Sequence, residues 1–457
     1  MKKYFGTDGI RGIANVDLTN DKAYTVTRAA IEVLIPEEKY KKNKPRVLIG
    51  KDTRISSDML ESGIISGVLS MGCDAYRLGV VPTPATSFLA QDGKFDLAIM
   101  LSASHNSYEY NGFKIFHDGR KLSDELEIEM EKYISGEKEI KRVISHEKLG
   151  EIRDASKLVD EYVKSLHKEY KKNLNLKGKT IAIDAANGSN YKIAEKVFKL
   201  FGVKADIINN EPNGININDK CGAVHPETLA KFMKKKENKG KYHLGIVFDG
   251  DGDRFIAIDE KGEILDGDKI MGISGIYLNE KGLIDKNIVV TIMSNLGFTN
   301  YMKEKGFNVL QTKVGDKYVS EVLQENDYLY GGEQSGHIIY SKNRYTGDAI
   351  QAALILLSAI EHFKKPLSEL KKEIPILPQV LVNVVVDKDK KSEFLKLNMN
   401  NKVIEKIEKE VEKAKGRILI RPSGTEPLIR VMIEGDDLKQ ITEWANTIAE
   451  IYEKHLK

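Results

Sequence analysis

HLGIVFDGDGDR (243–254) is the stretch on which the reading turns. An apolar, β-branched and aromatic run stops at Asp249, Asp251 and Asp253, which glycines separate. Such a run reads as a buried strand. Three carboxylates so close together repel unless something positive sits between them. Glycine spacers let the backbone bring all three together, and hard oxygen ligands suit Mg²⁺ or Ca²⁺. An EF-hand loop would also use Asp249, Asp251, Asp253 and Glu260, but it needs glycine where this chain has Arg254. The flanks read as strands, not helices. The expectation is a metal loop at a strand end, where open α/β sheets place their sites.

The same grammar recurs outward from this loop. PRVLIG (45–50), FDLAIML (95–101), TIAID (180–184) and NIVVTI (287–292) are each followed by a polar turn and a segment of helical periodicity. That order predicts α/β layers with a mainly parallel sheet. RVLIGKDTR, KTIAIDAANG and NIVVTIMSN echo one another and suggest three related units. The tail differs: VLVNVVVD (380–387), GRILIRPSG (416–424) and IRVMIEG (429–435) read as strands, with helices over 401–415 and 437–456. With 457 residues the chain is long enough for several domains. Divisions are expected near 155, 256 and 372, giving units 1–155, 156–256, 257–371 and 372–457.

Lys+Arg number 71 and Asp+Glu 68, so bulk charge does not predict nucleic-acid binding, and any anion must be held at local sites. Cys73 and Cys221 form no CxxC, which fits a reducing compartment. No apolar core follows the opening lysines, and QAALILLSAI (351–360) is about half a bilayer span. It reads as a core helix, and the expected location is cytoplasmic with no membrane partner.

Four further segments carry chemistry. MLSASHNSYEYNGFKIF (100–116) ends a strand in small residues; a serine there suits a nucleophile or a phosphate carrier, and residue types do not choose between Ser102 and Ser104. In GGEQSGHI (331–338), extended geometry would point Glu333, Ser335 and His337 the same way, to grip hydroxyls and supply an acid or base. RPSGTEPLIR (421–430) gathers Arg421, Ser423, Gly424, Thr425 and Arg430 into a phosphate cradle, or a plain tight turn. FGTDGIRG (5–12) and KDTR (51–54) place Arg11 and Arg54 in loops, where arginine is usually just solvated.

In order and spacing these segments resemble the α-D-phosphohexomutase superfamily along essentially the whole chain. NINDKCGAVHPE (216–227), SNLG (294–297), TKVGDKYV (312–319) and Gln334 resemble its glucosamine branch. The resemblance implies four domains around a central cleft: three similar α/β domains with mainly parallel mixed sheets, then a smaller α+β C-terminal domain. It implies a phosphate on Ser104, and one Mg²⁺ held by Asp249, Asp251, Asp253 and the Ser104 phosphate. Lys114 and His337 would move protons, and Arg254 and Arg11 would lie at the catalytic site. Glu333 and Ser335 would hold sugar hydroxyls, and the 421–430 residues the distal phosphate. The implied reaction interconverts glucosamine 6- and 1-phosphate through glucosamine 1,6-bisphosphate, in a homodimer. Ser107 stands where the family loop has proline, which loosens that loop. Open rivals are another hexose phosphate, a metal-dependent phosphatase and a silent sugar-phosphate binder.

Overall fold

The strand that leads into the acidic triad, Leu244–Phe248, is buried along its whole length. It pairs in parallel with Thr180–Asp184 and antiparallel with the returning strand Phe255–Ile258. The structure, a computed structural model, describes residues 2–387, 393–394, 397–398, 401–422 and 428–456.

Three sheets share one wiring. In the second, the spatial order is Lys204–Ile208, Thr180–Asp184, Leu244–Phe248 and Phe255–Ile258. In the third it is Asn308–Thr312, Asn287–Thr291, Tyr330–Gly332 and Ile338–Tyr340. In the first it is Asp74–Val80, Arg46–Lys51, Leu97–Leu101 and Tyr110–His117. Each time the first three strands are parallel and the fourth returns antiparallel. The three echoes in the sequence are the second strand of each order. The sheets are therefore mixed, and their antiparallel share comes from this returning hairpin. The first sheet adds Gly9–Ile13 and Phe5–Gly6 on the hairpin side and Ile152–Asp154 on the other. The second runs on to Ile264–Leu265, past the division expected at 256.

Central strands such as Leu97–Leu101 are buried on both faces, which accounts for their continuous apolar character. The helix Ala349–Phe363 is buried from Ala349 to Ala359 and is capped by the Asp348 carboxylate, which accepts from the Gln351 amide at 3.0 Å. It is a core helix as expected, and no helix among the described residues is long and apolar enough to cross a membrane.

Residues 1–293 and 306–373 form one compact unit; 294–305 and 374–457 form another. The second contains the antiparallel sheet Gln379–Val385, Leu428–Glu434, Arg417–Pro422, with helices Lys402–Lys413 and Leu438–Leu456. It also contains the helix Leu296–Glu304, whose capping residue Asn295 exchanges two hydrogen bonds with Leu377, at 3.0 and 2.9 Å. SNLG is thereby fastened to the C-terminal part of the chain: Arg417 donates to the Ser294 carbonyl at 2.8 Å and pairs with buried Glu434 at 2.7 Å.

Candidate active site

The common wiring puts three loops in the same place, between the last parallel strand and its antiparallel return. They are 102–109, 249–254 and 333–337. All three belong to the larger unit, and their side chains meet.

The first loop carries Ser104 at φ +53, a left-handed conformation that a non-glycine residue adopts only when its surroundings enforce it. Arg54 supplies that enforcement. Its guanidinium donates to the carbonyls of Ser104 (3.1 Å), Asn106 (2.8 Å), Tyr110 (2.9 Å) and Ser107. Arg54 was expected to be a solvated loop arginine, yet its side chain is fully buried against Asp52 at 2.9 Å. Isolated loop arginines are solvated because nothing pairs them; here a buried carboxylate does. Asn218, from the NINDKCG stretch, adds donors to Ser104 O (2.9 Å) and Asn106 O (3.0 Å). The Ser107 carbonyl is held by Arg54, so the segment is fixed without the proline. Ser102 is part of the same support: its hydroxyl donates to Asp52 at 2.6 Å and accepts from the Ser104 amide at 2.9 Å.

The second loop meets the first directly. Ser104 Oγ donates to Asp249 Oδ2 at 2.7 Å. A Cβ at position 250 would lie 2.6 Å from the Ser104 carbonyl oxygen, so only glycine permits this approach. Asp249 Oδ1 accepts from the amides of Gly252 and Arg254, each at 3.1 Å. The three aspartates are buried, and one oxygen of each lies within 4.8 Å of the others. Asp251 Oδ1 and Asp253 Oδ1 have no hydrogen-bond partner. Burial, then Asp253 and Asp251, push the Asp249 carboxyl well above its usual range. Orphaned carboxylate oxygens in a buried cluster fit a divalent cation, so the triad is able to hold a metal.

The third loop departs from its expected geometry. Residues 333–337 form a tight turn, not an extended row: Gly336 has φ +91, and the Glu333 amide donates to the His337 carbonyl at 2.9 Å. The turn buries His337 and leaves Ser335 exposed. Gln334 donates to Asp266 at 3.2 Å. Glu333 accepts from the Gly315 amide at 3.0 Å, and burial, then Asp316, raise its pKa.

Lys114, on the strand Tyr110–His117, reaches Asp251 at 2.7 Å and Asp253 at 3.0 Å. Burial would strip its proton, but Asp251, Asp253 and Asp8 hold it well above its usual value. His337 is raised to about 9: burial lowers it, and Asp316 and Asp253 outweigh burial. Its Nε2 lies 3.2 Å from Asp316 and 3.1 Å from the Gly347 amide, so the charged ring donates to the former and the neutral ring accepts from the latter. Arg254 is half-buried; burial lowers its pKa, while Asp249 and Asp253 raise it by more. Arg11 pairs with Asp8 and donates to Asn106 at 3.3 Å. His105, beside Ser104, is pushed down to about 3 by burial, then by Arg254 and Arg11.

In the smaller unit, Arg421 and Arg430 stand directly opposite on paired antiparallel strands. Burial, then Arg430, lowers the Arg421 pKa, and an anion between two facing guanidinium groups would relieve that repulsion. Ser423, Gly424 and Thr425 lie outside the described residues. Sequence reasoning gave no role to Asp8, Lys121 or Asp316. The signal was present, since FGTDGIRG holds Asp8 and TKVGDKYV holds Asp316.

A serine against a buried acidic triad, with a lysine and a histidine on the same carboxylates, is a site built for phosphoryl transfer. The four segments match the phosphoglucomutase/phosphomannomutase α/β/α domains I (2–141), II (160–262) and III (266–376) and the C-terminal domain (381–451). The chain belongs to the phosphoglucomutase/phosphomannomutase family, the α-D-phosphohexomutases. It is 45% identical over 459 residues to a phosphoglucosamine mutase of Clostridium acetobutylicum, covering 99% of both chains. Its fold is that of a phosphoglucomutase/phosphomannomutase family protein from Burkholderia thailandensis, at TM-score 0.78 and 22% identity, covering 99% and 98% of the two chains. An Aspergillus fumigatus N-acetylphosphoglucosamine mutase, solved with GlcNAc-6P and magnesium, follows at TM-score 0.69 and 19% identity, covering 100% and 96%.

Proposed function

We propose that this chain is a phosphoglucosamine mutase that interconverts glucosamine 6-phosphate and glucosamine 1-phosphate through a phosphoserine at Ser104 and a bisphosphorylated sugar. The observation that carries the chemistry is the contact between Ser104 and the acidic triad. The sugar is supported by full-length identity to phosphoglucosamine mutases. Phosphoryl transfer depends on alignment and charge neutralisation more than on covalent chemistry from the protein. Asp249, Asp251 and Asp253 would hold Mg²⁺, which supplies charge neutralisation at the serine oxygen. Lys114 and His337 serve the proton transfers: held protonated by their carboxylates they donate to Ser104 Oγ as it leaves, and the one that has given up its proton takes that of the attacking sugar hydroxyl. Glu333 and Ser335 hold sugar hydroxyls, and Arg254 and Arg11 steady the phosphoserine. Arg421, Arg430, Ser423, Gly424 and Thr425 hold the phosphate at the other end of the sugar. Added glucosamine 1,6-bisphosphate acts as activator. The enzyme works in the cytoplasm, as a homodimer, and feeds amino-sugar and cell-wall precursors; its domain divisions fall near 155, 265 and 372.

The test is turnover of glucosamine, glucose and mannose phosphates side by side, with free phosphate measured. Glucosamine phosphate should be isomerised fastest with no release of phosphate. Preference for mannose or glucose phosphate would reassign the sugar, and phosphate release equal to substrate loss would make the protein a phosphatase.

A further inference from the structure

Six side chains, four buried and two (Asp8 and Lys121) half-buried, close a ring of alternating charge. Lys114 Nζ lies 3.0 Å from Asp253 Oδ2 and 2.8 Å from Asp8 Oδ2. Asp8 Oδ1 lies 2.5 Å from Lys121 Nζ, and Lys121 pairs in turn with Asp316. Asp316 Oδ2 lies 3.2 Å from His337 Nε2, and His337 Nδ1 lies 3.6 Å from Asp253 Oδ1, where the ring closes. No member has more than 15% of its side chain exposed. Asp8, Lys114 and Lys121 come from the first sheet's segment, Asp253 from the second and Asp316 and His337 from the third.

Three of the six are already assigned to chemistry. The other three, Asp8, Lys121 and Asp316, join the two proton-moving groups by the side of the ring away from the triad. In a dry site each charge holds its neighbours firmly. Without Lys121, Asp8 would keep Arg11 and Lys114 and Asp316 would keep only His337, so the ring would open between Asp8 and Asp316 and His337 would be drawn from Asp253. The segment carrying Asp316 is itself pinned. The Gly315 amide holds Glu333, and Lys317 is buried between Asp124 (2.6 Å) and Glu127 (2.7 Å).

We propose that Asp316, Lys121 and Asp8 are positioning residues for proton transfer, holding Lys114 and His337 in register through this closed ring. The inference rests on the mutase reading. It differs from a plain stabilising role in what it does to kinetics. A stabilising bridge would change unfolding and leave kcat alone. A positioning bridge changes kcat far more than KM, because the side chains of Asp8, Lys121 and Asp316 hold the proton-moving groups and not the sugar.

The experiment compares Lys121→Met, Lys121→Arg and Asp316→Asn with wild type, on whichever of the three hexose phosphates the wild type turns over, with thermal melting in parallel. Lys121→Met should lose on the order of 10²-fold in kcat, the loss typical of a misplaced reacting group. Its KM should stay within about threefold, a shift too small to count as a lost substrate contact. Lys121→Arg should recover most of kcat by restoring the charge. Asp316→Asn should match Lys121→Met, and the double variant should be little worse than either alone, since both cut the same arc of the ring. If Lys121→Met does not fold, Asp316→Asn and Lys121→Arg carry the test. Unchanged kcat in folded variants, a rise in KM alone, or additive losses would overturn the proposal. A wild type idle on all three sugars would instead count against the mutase reading itself.

Discussion

Ser104 and Asp249 are 145 residues apart in the chain, yet the serine hydroxyl donates to the carboxylate at 2.7 Å. Two separate α/β segments have to dock for this contact to exist. The docking depends on Gly250, where any side chain would collide with the Ser104 carbonyl.

The conformation of Ser104 depends on Arg54. Replacing Arg54 with Met removes a donor from four loop carbonyls, leaving Ser104 and Asn106 with Asn218 alone, and strands buried Asp52 without its cation. Breaking a buried pair this way costs about 3–5 kcal/mol. Urea denaturation should show that loss, and activity should fall with it; unchanged stability would mean the loop keeps its shape unaided.

Asp251→Asn should weaken Mg²⁺ binding in a calorimetric titration and lower the maximal rate on the order of 10²-fold or more, as one ligand charge leaves a compact site. Chelation of the wild type should abolish turnover, and added Mg²⁺ should restore it. A rate indifferent to EDTA would remove the metal from the account.

Arg421→Ala should weaken binding of both monophosphates roughly ten- to hundred-fold, from the loss of about 1.5–3 kcal/mol of arginine–phosphate contact. The variant should also depend more on added glucosamine 1,6-bisphosphate, because the intermediate escapes before it reorients. Unchanged Michaelis constants and unchanged activator dependence would reduce 421–430 to a tight turn.

Burial pushes the Cys73 thiol up to about 11 and the Cys221 thiol up to about 12. A raised thiol pKa lowers the thiolate fraction at neutral pH, and the thiolate is the nucleophile. Native protein should therefore resist iodoacetamide at pH 7 and react at both cysteines once unfolded. Rapid native alkylation would show that one of these sites opens.

Much of this was legible in the sequence because it is local. The strands before the first two loops, Leu97–Leu101 and Leu244–Phe248, are continuous apolar runs, and the triad announces itself by its spacing. The choice of Ser104 over Ser102 needed a family resemblance, since both are small hydroxyls in one loop. Their different partners are both long-range: Asp249 for one, reached only after docking, and Asp52 for the other, within the first α/β segment. The 333–337 turn was misread as extended because polar alternation looks the same whether or not Gly336 reverses the chain. Asp8, Arg54 and Asp316 lie in segments that stood out, FGTDGIRG, KDTR and TKVGDKYV, but nothing local gave their side chains a role, and Lys121 lies in no such segment. Their meaning is long-range charge pairing, which no periodicity encodes.

The most direct test of the central claim is peptide mass mapping of the purified protein after incubation with glucosamine 1,6-bisphosphate. The account predicts a single added phosphate on Ser104, absent together with mutase activity in Ser104→Ala and retained in Ser102→Ala. A phosphate on Ser102, or full mutase activity in Ser104→Ala, would contradict it.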